Sequence, residues 1–158
     1  MRDISERVYV LDAHDAEPLR KLLAYDPYLD FNLIPKLPSE WDDEKYLSEH
    51  PDIAKEAEEK RKEADEAVRK LREDKEANLI FARQDYQLRD GATMGLDRTK
   101  CYLFLNAPED FQVPAEAKLK KNIASITRLD PDSEKKVIDS IEKERESAEE
   151  GLGMIFGQ

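Results

Sequence analysis

Residues 100–106 read KCYLFLN and residues 7–13 read RVYVLDA, and these two stretches decide the fold. Each sets large apolar side chains on consecutive positions, so both faces of the extended chain must be covered. Strands of that kind stand at the centre of a sheet that is packed on both sides.

Working outward, Asp15 to Tyr25 has a helical apolar stripe of Leu19, Leu22 and Leu23, with Asp15 as N-cap and Pro18 in the tolerant first turn. Asp26 to Ser39 carries Pro27, Pro35 and Pro38 among Tyr28, Leu29, Phe31, Leu33 and Ile34. Proline forbids a continuous helix there, while the apolar groups need cover, so an ordered loop pinned onto the core is expected. A short helix over Glu40 to Glu49 follows, with Trp41 and Tyr46. Pro51 to about Glu76 has no glycine, dense charge, and a seam of Ile53, Ala57, Ala64, Ala67, Val68 and Leu71. The spacing predicts a helix of about 35–40 Å. Its seam is mostly alanine, enough for one close neighbour but not for anchoring a core.

Asn78 to Asp90 alternates as a strand, and Gly91 to Gly95 reads as a hairpin loop, lacking the glycine spacing of a P-loop or dinucleotide fingerprint. Pro114 to Lys121 reads as a short helix and Ile123 to Leu129 as an edge strand. Asp130-Pro131 starts a last helix on Val137, Ile138, Ile141 and Ala148, which Gly151 is expected to end. The apolar run Leu152 to Phe156 (LGMIF) lies beyond it.

Without the insertion, the order is strand, helix, strand, strand, helix, strand and a terminal helix. That is the split β-α-β arrangement of a ferredoxin-like α+β sheet, in which the first and third strands are central. One domain is expected over residues 1–158, with a charged helical arm at 40–76 and an apolar tail at 152–158. The chain is 39% hydrophobic and 40% charged, so much of its charge must sit on a solvated element, and the arm is where it goes.

The net charge of −11 opposes phosphate backbones, which makes nucleic acid an unlikely partner class. The aromatics Tyr9, Tyr102 and Phe104 are expected on one sheet face. No RNA-binding signature precedes Tyr102, so cover by Trp41, by the proline-bearing loop or by a partner is expected instead. Cys101 is the only cysteine, which excludes an internal disulfide; within an apolar strand it reads as a small buried side chain rather than a nucleophile. No stretch reaches the roughly 18 apolar residues of a membrane span, and the first fifteen residues lack a signal-peptide core. A cytoplasmic protein is expected.

Chemistry has few places to start. His14 lies between Asp12 and Asp15 where a strand meets a helix, a position that suits ligand binding, and Arg98 could add a cation. The bland reading of the same residues is helix capping beside an exposed histidine. His50 sits at a helix boundary. No metal site and no cofactor are expected, because two histidines, one cysteine and unordered carboxylates form no ligand motif. Arg98, Lys100, Lys118, Lys120, Lys121 and Arg128 form either a local basic patch or ordinary ion pairs. Leu152, Met154, Ile155 and Phe156 are candidate anchors for a partner. The sum points to a non-enzymatic interaction module, an accessory, assembly or regulatory subunit. The alternative is a small-ligand site or modest enzyme around Asp12, His14 and Asp15.

Overall fold

A computed structural model describes the backbone of residues 3–156 and the side chains of residues 3–151. The chain is mixed α+β and falls into two compact units. One unites the segment up to Ala24 with the chain from Arg83 onward; the other is Tyr25–Ala82. Among the described residues, no helix is long and apolar enough to cross a membrane.

The first unit is built on an antiparallel sheet ordered β2-β3-β1-β4, with β1 Ile4–Asp12, β2 Asp85–Asp90, β3 Lys100–Pro108 and β4 Thr127–Arg128. The two strands that are apolar on both faces, β1 and β3, occupy its middle and pair along their whole length, from Ile4 opposite Pro108 to Asp12 opposite Lys100. Residues directly opposite in an antiparallel pair share a face. Val8 therefore shares a face with Phe104, and Val10 with Tyr102, while Tyr9 pairs with Leu103 on the other side. The expectation that Tyr9, Tyr102 and Phe104 lie together is thus corrected. The register differs by one residue from the one assumed, and a single step moves a side chain through the sheet.

The Tyr102–Phe104 face is covered by helix α5, Pro131–Phe156, whose Val137 and Ile141 are buried with Val8, Tyr102 and Phe104. Residue Ile138, also on α5, flanks this cluster. The helix takes the place expected for Trp41, the proline-bearing loop or a partner. On the opposite face Tyr9, Leu11, Leu103 and Leu105 are fully buried, as are Leu19 and Leu23 of α1 (Ala16–Ala24) and Ala115 and Leu119 of α4 (Glu109–Asn122). Gln112 of α4 is buried too, and its amide donates to the carbonyls of Ser5 (3.0 Å) and Leu105 (2.9 Å).

Several boundaries depart from the sequence pattern. The strand expected from Asn78 begins only at Asp85. Asn78 instead donates its side-chain amide to the carbonyls of Leu71 (2.8 Å) and Asp74 (2.6 Å), and Phe81–Arg83 form a single 3-10 turn. Helix α4 starts five residues before Pro114 and carries the proline inside; Glu109 and Asp110 in its first turn suit the positive end of the helix dipole. The strand expected over Ile123 to Leu129 is reduced to two residues, because Ile123 and Ile126 turn inward and are buried. Gly151 does not end the last helix. Its backbone stays helical at the modest cost of glycine in a helix interior, and α5 continues to Phe156. The anchors proposed at Leu152, Met154, Ile155 and Phe156 therefore lie on a continuation of α5, and their side chains fall outside the described residues.

The β2–β3 connection is a 3-10 turn, Gly91–Met94, followed by Gly95 at φ 69°. Gly91 is required there: a Cβ would come within 1.8 Å of the Asp97 carbonyl oxygen.

In the Tyr25–Ala82 unit, 3-10 turns at Pro27–Leu29 and Ser39–Asp42 lead to α2 (Glu44–Glu49) and α3 (Pro51–Glu73). Helix α3 buries Ala57 alone among its residues, as its thin seam implies. Arg61 ties it to the preceding turn through the Trp41 carbonyl and the Asp42 carboxylate (3.1 Å). The expected apolar loop is covered only in part: Pro27 is buried and Tyr28 and Ile34 are half-buried, while Leu29, Phe31 and Leu33 are 72%, 63% and 49% exposed. Polar bonds hold the loop instead. Asp26 caps Tyr28 N–H (3.0 Å), Asp30 accepts from Asn32 N–H (2.9 Å) and from the Tyr25 hydroxyl (2.6 Å), and the Tyr28 hydroxyl donates to Asn78 (2.6 Å).

Candidate functional site

Strand β1 ends at Asp12, and Ala13–Asp15 form a 3-10 turn into α1. This short path brings ligating atoms of Asp12, His14 and Asp15 within 4.8 Å of one another, so the sequence-predicted trio does meet. Two of the three are already engaged. The Lys100 ammonium, directly across the β1–β3 pair, donates to Asp12 at 2.5 Å. That hydrogen bond holds the Asp12 carboxyl below the usual range, and the same contact raises Lys100. The Ser125 hydroxyl accepts from Asp12 N–H (3.0 Å) and donates to Asp15 (2.5 Å). His14 stands 3.6 Å from the other Asp15 oxygen, with its side chain 77% exposed.

Ser125 and Lys100 are the members that sequence reasoning missed. Lys100 becomes a partner of Asp12 only once the strand register is known, and Ser125 lies 113 residues away in the chain. Arg98 is exposed in the loop after Gly95. The loop approaches the trio through Ala13 N–H, which donates to the Thr99 carbonyl at 2.9 Å. Chemically, the arrangement closes the ends of β1 and β3 against the turn before β4. A general base would need an uncommitted carboxylate or a shielded imidazole, and here the carboxylates have donors and the ring is in water.

The remaining candidates resolve as ordinary structure. Lys100, Lys120 and Arg128 of the basic group pair with Asp12, Glu116 and Glu134. His50 Nδ1 donates to the Tyr46 carbonyl (2.8 Å), and its ring stacks on the Tyr46 ring at 4.4 Å. Cys101 is buried with its sulfur 3.4 Å from an Asp90 carboxylate oxygen, and burial, helped by that bond, pushes its thiol up and away from reactivity.

The chain matches no family model, no curated protein and no solved structure. Function must be read from surfaces.

Two further features qualify. A groove of about 380 Å³ opens between α5 and the Gly91–Gly95 loop, lined by Met94, Leu96, Tyr102, Leu129 and Val137, with Lys136 and the hydroxyls of Ser133 and Ser140 on its polar side. Lys136 has Asp132 and Asp139 one helical turn away on either side, so the groove carries little net attraction for an anion. The second feature is the apolar row Tyr25, Leu29, Phe31 and Leu33, all more than 40% exposed within nine residues of chain.

Proposed function

We propose that this protein is a non-enzymatic interaction module, an accessory, assembly or regulatory subunit of an intracellular complex, carried on a ferredoxin-like sheet. The strand order β2-β3-β1-β4, with β1 and β3 central and every pairing antiparallel, supports the sheet class. The exposed apolar row Tyr25, Leu29, Phe31 and Leu33 carries the functional reading. Large apolar side chains left in water along one short stretch of chain point to a contact surface. These are held by the Asp26 and Asp30 hydrogen bonds, so little loop entropy is lost when a partner covers them. Phe31, with Lys36 5.4 Å from its ring centroid, is the aromatic anchor of the row. The apolar run Leu152, Met154, Ile155 and Phe156 is a second contact in this reading.

The test is the triple variant Leu29→Ser, Phe31→Ser, Leu33→Ser. Because those side chains are exposed, the melting temperature should stay within about 2 °C of the parent. Size-exclusion chromatography with light scattering, on the protein and on complexes isolated from cells, should show a partner of fixed stoichiometry that the variant loses. A strictly monomeric parent without a partner, or a variant that keeps its partner, sinks the proposal.

The close approach of Asp12, His14 and Asp15 favours a second reading, a small-ligand site with Arg98 at its edge. A ligand there must displace Lys100 or Ser125 from a carboxylate, so it would be weak. A metabolite that raises the melting temperature in the parent but not in His14→Ala would promote this reading above the first.

A further inference from the structure

Strand β2 stands at one end of the sheet and has a neighbouring strand, β3, along one edge only. Which of its backbone groups face outward follows from the register. Ala13 N–H donates to the Thr99 carbonyl (2.9 Å) and Glu109 N–H to the Asp3 carbonyl (2.8 Å), one step beyond either end of the β1–β3 ladder. Bonded pairs alternate along an antiparallel ladder, so Cys101, Leu103 and Leu105 bond to β1, while Tyr102, Phe104 and Asn106 turn toward β2. Their partners there are Arg89, Gln87 and Asp85. Tyr86 and Leu88 therefore direct their N–H and C=O groups away from the sheet, and among the described residues nothing bonds to these groups. The opposite edge is closed: β4 is two residues long, and Glu134 takes the adjacent Val8 N–H (3.0 Å). Strand β2 carries none of the common guards of an open edge, neither proline nor lysine nor bulge.

We propose that β2 is a self-association edge, pairing antiparallel with β2 of a second copy about a twofold axis at Gln87. Tyr86 then stands opposite Leu88 of the second copy, and Leu88 opposite its Tyr86, so every outward N–H meets an outward C=O. A register shifted toward Asp90 meets a carbonyl already engaged by the Thr93 hydroxyl (2.8 Å), and one shifted the other way runs off the strand at Asp85. The side chains choose the same register. Asp85, Gln87 and Arg89 share a face, and Asp85 falls opposite Arg89 of the second copy at both ends of the join. Within one copy Arg145 holds Asp85 and Glu144 holds Arg89, so a row of alternating charge, Arg145, Asp85, Arg89, Glu144, crosses the join. On the other face Tyr86 meets Leu88. This complementarity of β2 to itself, in charge and in apolar character, makes a second copy the occupant. The pairing uses residues apart from Leu29, Phe31 and Leu33, so it and the reading of that loop can fail separately.

The experiment uses the full chain in about 0.15 M salt, where the repulsion between copies of net charge −11 is screened beyond about 8 Å. Sedimentation velocity from roughly 5 to 300 μM should show the mass rise from 18.3 kDa toward twice that value, as a small interface of micromolar affinity requires. Amide exchange at Tyr86 and Leu88 should slow about fivefold or more as the dimer forms, while Gln87 and Arg89 stay protected throughout. Asp85→Arg sets arginines face to face and Arg89→Asp sets aspartates face to face; each alone should weaken association about tenfold. An equimolar mixture of the two variants restores both opposite-charge pairs and should dimerise within about threefold of the parent. The Leu29→Ser, Phe31→Ser, Leu33→Ser variant should dimerise like the parent. A parent that stays at 18.3 kDa overturns the proposal and leaves the edge to an extended segment of another protein. A dimer whose Tyr86 and Leu88 amides exchange as fast as in dilute protein overturns it too, as does a mixture no more associated than either variant alone.

Discussion

Glu134 offers the sharpest test of how the sheet edge is closed. Strand β4 pairs with β1 only at Tyr9 and Val10, which leaves the Val8 N–H without a ladder partner. The Glu134 carboxylate, buried in the first turn of α5, accepts that N–H at 3.0 Å and is gripped by the Arg128 guanidinium at 2.9 Å and 2.8 Å. Glu134→Ala strands a buried backbone donor, which costs about 1–3 kcal/mol. The Arg128 side chain is 41% exposed, so losing the ion pair adds only about 0.5–1 kcal/mol. The total is roughly 1.5–4 kcal/mol. Urea denaturation should show the midpoint fall at unchanged slope. Arg128→Met alone should cost less than about 1.5 kcal/mol, since Val8 keeps its acceptor. A loss below about 1 kcal/mol for Glu134→Ala would mean that water or a backbone group already serves Val8, and the account of the edge would be wrong.

Two more outcomes follow from named contacts. Gly91→Ala drives a methyl group onto the Asp97 carbonyl, a backbone atom that cannot swing aside; a loss of about 2–3 kcal/mol is expected in thermal unfolding, and a neutral result would refute the close approach. The Glu6 carboxyl sits near 7 when folded against 4.5 when unfolded, so its stabilisation is complete below pH 4.5 and is lost as pH rises through 7. Glu6→Gln should therefore match the parent at pH 4 and exceed it by about 1–2 kcal/mol at pH 8, after discounting for partial exposure; a parent equally stable relative to the variant at both pH values would contradict this.

The centre of the fold was legible because burial on both faces leaves a direct mark: RVYVLDA and KCYLFLN have no polar face to offer water. The charged helix was legible for the opposite reason, since glycine-free Glu, Lys and Arg after Pro51 can form little else. The misreadings share one cause, tertiary contacts overriding local pattern. Asn78 to Gln84 alternates like a strand, yet Asn78 is drawn off to close α3. Thr127 and Arg128 hold an edge place only because α5 follows at once and lends Glu134 to β1. The apolar side chains of Leu29, Phe31 and Leu33 look like core in sequence, while the polar caps that keep them in water are ordinary aspartates. For the candidate site, adjacency along the chain brought Asp12, His14 and Asp15 together on the page, but Lys100 and Ser125, which decide their chemistry, are set by pairing register and chain return.

The single thiol has a practical corollary. Cys101 is buried on the face of β3 that it shares with Leu11, its thiol pushed up by that burial, so an alkylating reagent can reach it only in molecules whose packing on that face has opened. One label per opening event then turns mass spectrometry into a counter of how often that face is uncovered.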